Sequence, residues 1–240
     1  MSHVLVDGRC IAHFVSEWAR IARGEEPENL PFLDRTVLKL EEDDLTPPRF
    51  DHLEFGKPPM LIGQTDNLKQ RMKETTVVVL KLSKEHIQKL KKEANEFLSV
   101  YTSSKPFTRY EAVTAHMWRC ASKARLHEFE QLTSVRFTVD FHSRMVPPLP
   151  RHYFGNVVLP MRSATITSGE LLSMPLGYGC SKIREAIEKG KEIYMEPGTV
   201  GLDGKSFVFP SRDEDGSFDA PFRLQVEHMD AFKKFFYENI

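Results

Sequence analysis

A histidine and an aspartate lie four positions apart at the start of the chain, in the run SHVLVDG at residues 2–8. A histidine ring titrates near neutral pH, so His3 is suited to take a proton from an alcohol or an amine and to pass it on. A nearby carboxylate such as Asp7 can hold the ring or the loop that carries it. The spacing alone is a weak signal, because the chain contains nine histidines. The glycine and the helix that follow make the signal more specific.

An amphipathic helix is predicted directly after this turn. Apolar residues recur at three- and four-residue steps between residues 11 and 22, which places them on one face of a helix. Gly24 is well placed to end that helix in a left-handed cap. A stripe of this kind is typical of a buried helix face, so we expect Phe14 and Trp18 to be core residues.

Several later stretches match the same enzyme family as the opening run, and they occur in the same order as in that family. They are TRYEAVTAHMWRC at residues 108–120, PPLP at 147–150, YFGN at 153–156 and PLGY at 175–178. Together with SHVLVDG they resemble the plant BAHD acyltransferases, which use acyl-CoA thioesters. The tail, from YMEPGT at 194–199 to FFY at 235–237, is most similar to the hydroxycinnamoyl transferases that acylate spermidine.

The resemblance implies a chloramphenicol-acetyltransferase-like α/β fold, with a mixed sheet and flanking helices. It also implies that His3 acts as the general base and that Asp7 gives structural support, turned towards an arginine from the run DFHSR at residues 140–144. Arg144 fits this role, whereas His142 replaces an arginine that is usual in relatives. The substitution leaves the pairing of Asp7 open.

Other features of the site are implied in the same way. Tyr153, Phe154, Gly155 and Asn156 resemble the strand beside the acyl-CoA channel, although their pattern alone predicts an ordinary half-buried strand. Gly8 is expected to permit the tight turn into the helix. The implied co-substrate is acyl-CoA, with no bound cofactor and no metal.

Two parts of the family pattern are missing from the sequence. Family members carry a long domain before the histidine motif, and here only two residues precede it. They also carry a DFGWG motif before the tail, of which Gly190 resembles the last residue. We therefore expect residues 1–45 to be a remnant of the N-terminal domain, 46–74 a crossover linker and 75–240 the C-terminal domain, with an internal deletion near 189–190.

The remaining pattern mixes strands with helices, which predicts an α/β layered domain. A strand at 76–82 is followed by a helix that Ser83 caps, and Thr108 with Glu111 forms a capping box for another helix. Apolar and polar residues alternate from 135 to 141, as in a strand with one buried face. Further expected elements are a strand at 153–159, a helix at 181–189, a hairpin of 205–209 with 222–226, and a last helix at 229–236.

Composition limits the possible partners. The formal net charge of −1 argues against nucleic acid or an anionic membrane as a bulk partner. Cys10, Cys120 and Cys180 are odd in number and far apart, so no disulfide framework is predicted. The sequence contains neither a membrane-spanning apolar run nor a targeting signal, and we expect a cytoplasmic protein. By family it would be a monomer, and as a truncated chain it would be prone to associate.

One possible metal pair is set aside. His116 and Cys120 lie one helical turn apart, but a metal site needs three or four ligands and no others lie nearby in sequence. Phosphate-binding loops, serine-hydrolase elbows and dinucleotide fingerprints do not occur.

Two functions follow from the sequence. In the first, the protein moves a hydroxycinnamoyl or similar group from acyl-CoA to a polyamine such as spermidine or to an alcohol, with His3 as the base. In the second, the sequence is that of a catalytically inactive truncated BAHD fragment, or of an incomplete gene model, and the protein at most binds ligands. The histidine motif favours the first. The missing domain favours the second, because substrate positioning can supply about 7–11 kcal/mol of the barrier.

Overall fold

The computed structural model describes residues 5–38, 73–101, 105–145, 147–190, 209–211 and 215–238, together with Ile240. These residues fall into two compact units. The first unit takes its residues from Met1–Glu54, Phe137–Met161 and Gly190–Pro197, and the second takes the remainder. The predicted domain boundaries stay a prediction, but this grouping differs from them because residues 137–161 group with the start of the chain.

Strands and helices are mixed along the chain, as the sequence predicts. In chain order they are α1 (Gly8–Ala22), a short 3-10 helix (Arg35–Leu38), β1 (Thr75–Leu82), α2 (Lys84–Tyr101), α3 (Arg109–Ala124), β2 (Leu132–Thr133), β3 (Arg136–Asp140), β4 (Val158–Arg162), β5 (Ile166–Thr167), α4 (Ser168–Ser173), α5 (Leu176–Gly190), β6 (Phe209–Pro210), β7 (Phe218–Gln225) and α6 (Val226–Tyr237).

The second unit is built on an antiparallel sheet of strand order β1-β7-β6. β1 and β7 pair along their whole length, with Val78 opposite Phe222. Phe222 packs the sheet against α6, because its ring stacks on Phe232 of that helix at a centroid distance of 4.2 Å. The predicted late hairpin is confirmed in part: β6 pairs with β7, but at Phe218 and Asp219, because β7 begins four residues before the predicted second arm. The rest of the first arm lies outside the described residues.

Helix α3 forms the centre of the second unit and packs against α2 and α6. It begins at the predicted capping box: the Thr108 hydroxyl accepts from the Glu111 amide, and the Glu111 carboxylate accepts from the Thr108 amide. Every residue from Glu111 to Trp118 is buried. The indole N–H of Trp118 donates to the Thr133 hydroxyl at 2.9 Å, so this bulky side chain is buried with its polar atom satisfied.

The first unit contains α1 and the pair β3–β4. β3 shows the predicted alternation, with Phe137 and Val139 buried between exposed neighbours. α1 ends as predicted, since Gly24 adopts a left-handed φ of 80° directly after the helix cap. No helix in the described part of the chain is both long and apolar enough to cross a membrane.

The burial predicted for α1 is wrong. Phe14 is 45% exposed and Trp18 is 62% exposed, so neither is a core residue in the described structure. Val15 and Ile21 of the same helix are also exposed. The periodicity correctly predicted a helix with an apolar face, but a periodic pattern does not specify what covers that face.

Several predicted element boundaries also change; the last helix, expected at 229–236, begins three residues earlier, at Val226. The strand expected at 153–159 begins only at Val158, because the preceding residues form a turn and a single bridge between Tyr153 and Phe32. The helix expected at 181–189 starts five residues earlier, at Leu176, and extends to Gly190, after which the chain lies outside the described residues.

Candidate functional site

The candidate site is the turn that precedes α1. His3, the predicted general base, lies outside the described residues. The structure does describe Asp7, whose extended backbone and side chain form the N-cap of α1. The sequence contains the signal for this cap, since Asp directly before an amphipathic run is a common helix start.

Asp7 is completely buried, and backbone amides bind both of its carboxylate oxygens. Oδ1 accepts from the amide of Cys10 at 3.1 Å, which is the capping bond, and Oδ2 accepts from the amide of Val157 at 3.0 Å. The positive end of the α1 dipole also favours a negative charge at this position. One side chain therefore fixes the turn to its own helix and to a segment 150 residues further along the chain.

The predicted pairing of Asp7 with Arg144 is not what the structure shows. The Arg144 side chain is exposed and donates from Nε to the backbone oxygen of Asp140 at 3.0 Å. The side chain beside Asp7 is instead His142, whose Nε2 lies 3.6 Å from Asp7 Oδ2. Both residues belong to the turn that follows β3, but the His142 side chain is buried in it and the Arg144 side chain is exposed.

Cys10 is a further member of this cluster that sequence reasoning missed. Its thiol is buried and donates to the backbone oxygens of Tyr153 and Gly155, each at 3.3 Å. Burial, together with the negative charge of Asp7, raises the pKa of the Cys10 thiol. The thiol is therefore held protonated as a packing and donor group and is unsuited to act as a nucleophile.

The run YFGN at residues 153–156 contacts this turn and does not form a strand. The buried Tyr153 ring packs on His142 and folds over Gly155, where an added Cβ would meet the Tyr153 ring at 2.6 Å. The Phe154 amide donates to the backbone oxygen of Phe32 at 2.9 Å. The Phe154 and Asn156 side chains are half-buried in the same segment. A role beside an acyl-CoA channel stays a prediction for these four residues.

The role given to Gly8 changes as well. Gly8 is the first residue of α1, and its φ is not in the left-handed region that favours glycine. A Cβ added there would meet nothing within 4 Å. The turn is held by the Asp7 cap and does not depend on glycine at this position.

Within the described part of the chain, one group of three side chains has the donor types of a metal site. The ligand atoms of Asp7, Cys10 and His142 lie within 4.8 Å of one another. A structural zinc ion takes four ligands, and here both Asp7 oxygens already accept amide N–H groups while the thiol donates to carbonyl oxygens. We assign no metal to this cluster.

The second unit contains a cavity of about 80 Å³ that His116 and Cys120 help to line. Burial lowers the pKa of His116 to about 4, and burial raises the pKa of Cys120 to about 12. His116 Nε2 lies 2.7 Å from the backbone oxygen of Phe236. Both side chains are thus held neutral, which suits packing and does not suit acid-base or nucleophilic chemistry at neutral pH.

Comparison with known proteins connects this geometry to a family. The Transferase family model matches residues 1–191. Over its whole length the chain is 38% identical to hydroxycinnamoyl-CoA:piscidic acid hydroxycinnamoyltransferase of Actaea racemosa, and 99% of it aligns at 28% identity with shikimate O-hydroxycinnamoyltransferase of Nicotiana tabacum. It spans 66% and 65% of the lengths of these two relatives.

Solved structures show the same fold. TRI101 of F. sporotrichioides, crystallised with coenzyme A and T-2, superposes with a TM-score of 0.70 at 19% identity, covering 95% of this chain and 63% of that one. Vinorine synthase superposes with a TM-score of 0.63 at 17% identity, covering 96% and 59%. The predicted α/β fold is confirmed. The family match over most of the chain, joined to an Asp7 turn built as a helix cap, places this protein in the BAHD family of transferases.

Proposed function

We propose that the protein transfers a hydroxycinnamoyl group from its CoA thioester to a hydroxyl or amino group of an acceptor. The observation that supports this most is the fixed turn at Asp7: in a chain of this family, a completely buried carboxylate caps α1 four positions after His3 in the sequence. The two curated relatives named above are both called hydroxycinnamoyltransferases.

In the proposed mechanism His3 is the general base. Its ring takes the proton from the acceptor hydroxyl or amine, and the freed oxygen or nitrogen attacks the thioester carbonyl carbon. The carbon–sulfur bond then breaks and the CoA thiolate leaves, taking back the proton from His3. No covalent enzyme intermediate is needed. Asp7 supports the turn and does not relay charge in this mechanism; each of its oxygens accepts a backbone amide.

The acceptor is the least determined part of the proposal. The relatives' names specify piscidic acid, shikimate and, in Avena sativa, 5-hydroxyanthranilate. These names are those of carboxylic acids or their anions, which favours an acidic acceptor over a polyamine. Spermidine as the acceptor stays a prediction based on the resemblance of the tail.

A second candidate is an inactive fragment of such an enzyme. The alignment with the Actaea relative extends over 301 positions, whereas the whole chain has 240 residues, so at least 61 aligned positions have no residue in this chain. These gaps are consistent with a deletion inside the matched region, as predicted near 189–190. If the residues that position the substrates are missing, an enzyme that keeps only its general base would be close to inactive.

A transfer assay separates the two candidates. The full chain is incubated with p-coumaroyl-CoA and, in separate reactions, with shikimate, with 5-hydroxyanthranilate and with spermidine, and the ester or amide product is quantified by mass. We expect a His3→Ala variant to lose on the order of 10²–10⁴-fold in rate, as for removal of a general base.

The matched control is His228→Gln, because His228 lies on α6 in the second unit and takes no part in the proposed chemistry. This variant should keep the wild-type rate. Equal rates for His3→Ala and wild type would remove the role of His3. Absence of product with every acceptor, from a chain shown to be folded, would establish the fragment instead.

A further inference from the structure

A chain of side-chain contacts connects the protein surface to the buried carboxylate of the candidate turn. Arg9 Nη1 lies 3.2 Å from Asp140 Oδ2, and both side chains are about half exposed. His142, which is buried, places Nδ1 2.7 Å from Asp140 Oδ1 and Nε2 3.6 Å from Asp7 Oδ2. The ring of His142 is thus the only link in this series between an accessible carboxylate and the buried one.

Each ring nitrogen of His142 faces a carboxylate oxygen. A ring N–H can be donated to Asp140 on one side, and on the other side Nε2 lies 3.6 Å from Asp7 Oδ2, the oxygen that also accepts from the Val157 amide. An ionised carboxylate offers about four acceptor positions, of which these amides use two. Burying a carboxylate completely costs free energy unless its remaining acceptor positions also face hydrogen-bond donors or positive charge. His142 is the side chain placed to do this.

Other groups around the ring support this arrangement. Asp140 also accepts from the backbone amide of His142 at 2.8 Å. Burial alone would raise the pKa of Asp140, but the hydrogen bonds from His142, with that from Arg9, outweigh it and lower the pKa. Cys10 Sγ lies 3.9 Å from Nε2, and the Tyr153 ring packs on the imidazole. Each neighbour restricts the orientation of the His142 ring.

We propose that His142 is a positioning residue of the active site: by contacting Asp140 and Asp7 at once, it anchors the end of β3 to the carboxylate that fixes the catalytic turn. The catalytic consequence rests on the proposed function. The structural consequence does not, because it concerns the order of the turn in the protein without substrates.

Three substitutions at one position test this inference. His142→Phe keeps an aromatic ring of similar size and has no donor. His142→Arg keeps donors that can reach two carboxylates. His142→Gln is smaller, keeps one amide group and serves if the Phe variant fails to fold. We expect kcat of the Phe variant to fall on the order of 10–100-fold, with KM for both substrates within about twofold of wild type, because a misplaced base slows the chemical step. The Arg variant should recover most of the lost rate.

A second readout works without any activity. Amide hydrogen exchange, followed by NMR in the absence of substrates, reports on the Cys10 and Val157 amides that bind Asp7. We expect their exchange to accelerate at least tenfold in the Phe or Gln variant and to return towards the wild-type rate in the Arg variant. The matched control is the Glu111 amide, which a side-chain oxygen caps in the same way at α3. Its exchange rate should not change.

The two readouts distinguish the possible failures. If the wild type makes no product but exchange changes as expected, the proposed function fails and the positioning role of His142 stands. If the Phe and Gln variants keep wild-type exchange at Cys10 and Val157, the inference is overturned whatever the activity shows. Equal acceleration at Glu111 would overturn it as well, since the effect would then be global unfolding.

Discussion

Helices α1 and α3 begin in the same way and differ in what surrounds them. Each starts with a side-chain oxygen that accepts from the backbone three residues on, from Asp7 in α1 and from Thr108 in α3. α3 then buries nearly every side chain, while α1 leaves Phe14 and Trp18 exposed in the described structure. A helix start is a local event that a few residues determine, whereas burial of the helix face depends on partners elsewhere in the chain.

The two tryptophans of the chain test this contrast directly, because one lies on each helix. Trp118 is 6% exposed, and Trp18 is 62% exposed. We expect Trp118→Ala to lower the free energy of unfolding by about 3–5 kcal/mol, since it leaves a large cavity and removes the partner of the Thr133 hydroxyl. Trp18→Ala should change it by less than about 0.5 kcal/mol. Urea denaturation followed by circular dichroism measures both.

One result would contradict the comparison of the two tryptophans. A loss above about 2 kcal/mol for Trp18→Ala would show that the apolar face of α1 is covered in solution, since losses of that size need a named burial mechanism. Trp18→Phe, which keeps an aromatic side chain at the position, is then the control for helix propensity.

The two helix caps provide the next contrast. Asp7 is buried and serves two amides, whereas Thr108 caps only its own helix with the help of Glu111. We expect Asp7→Ala to cost about 2–4 kcal/mol, because two amides lose their partner. Thr108→Ala should cost about 1 kcal/mol, as for an ordinary N-cap. Thermal unfolding of both variants measures the difference, and equal losses would mean that the amide of Val157 finds another acceptor.

Sequence reasoning succeeded where the cause was local. The strand at 76–82, the capping box of Thr108 with Glu111 and the helix end at Gly24 all follow from short-range patterns, and the structure confirms them. Each depends on residues within a few positions of one another, so the sequence contains the whole cause.

The site was harder to predict because its contacts are distant in sequence. Val157 lies 150 positions from Asp7, and its place in a short apolar run does not show that its amide binds a carboxylate. Arg144 was the partner of Asp7 predicted from sequence, and only the course of the chain after β3 shows that His142 lies there instead. Exposure of Trp18 was unpredictable for the same reason: periodicity shows that a face is apolar and not what lies against it.

The burial of α3 also predicts a pH dependence. Burial lowers the pKa of His116 from 6.5 to about 4. Between these values the unfolded chain binds a proton that the folded protein excludes, so stability is full above pH 6.5 and falls as the pH drops towards 4. We expect His116 to account for about 2 kcal/mol of lost stability at pH 5.

The measurement is a series of urea unfolding curves between pH 5 and pH 7.5. His116→Gln, which has no titrating group, should lose less stability over this interval than wild type does. His127 on the adjoining turn has a pKa lowered in the same direction by burial, so part of the dependence should remain in the variant. Parallel curves for the two proteins would show that His116 is not buried as described.

The smallest expected effects concern the two glycines that flank α1. Gly24 has a φ of 80°, and its amide donates to the Ile21 oxygen at 2.9 Å, so Gly24→Ala should cost about 1 kcal/mol by forcing a Cβ into the left-handed region. Gly8 is the first helical residue and has open space at its Cβ position. Gly8→Ala should therefore stabilise the protein by roughly 0.5 kcal/mol, because alanine loses less backbone entropy on folding. Thermal unfolding should show a lower Tm for Gly24→Ala and a higher Tm for Gly8→Ala than for wild type. A loss of stability in Gly8→Ala as large as that in Gly24→Ala would mean that the turn needs glycine at residue 8, and that the Asp7 cap alone does not hold it.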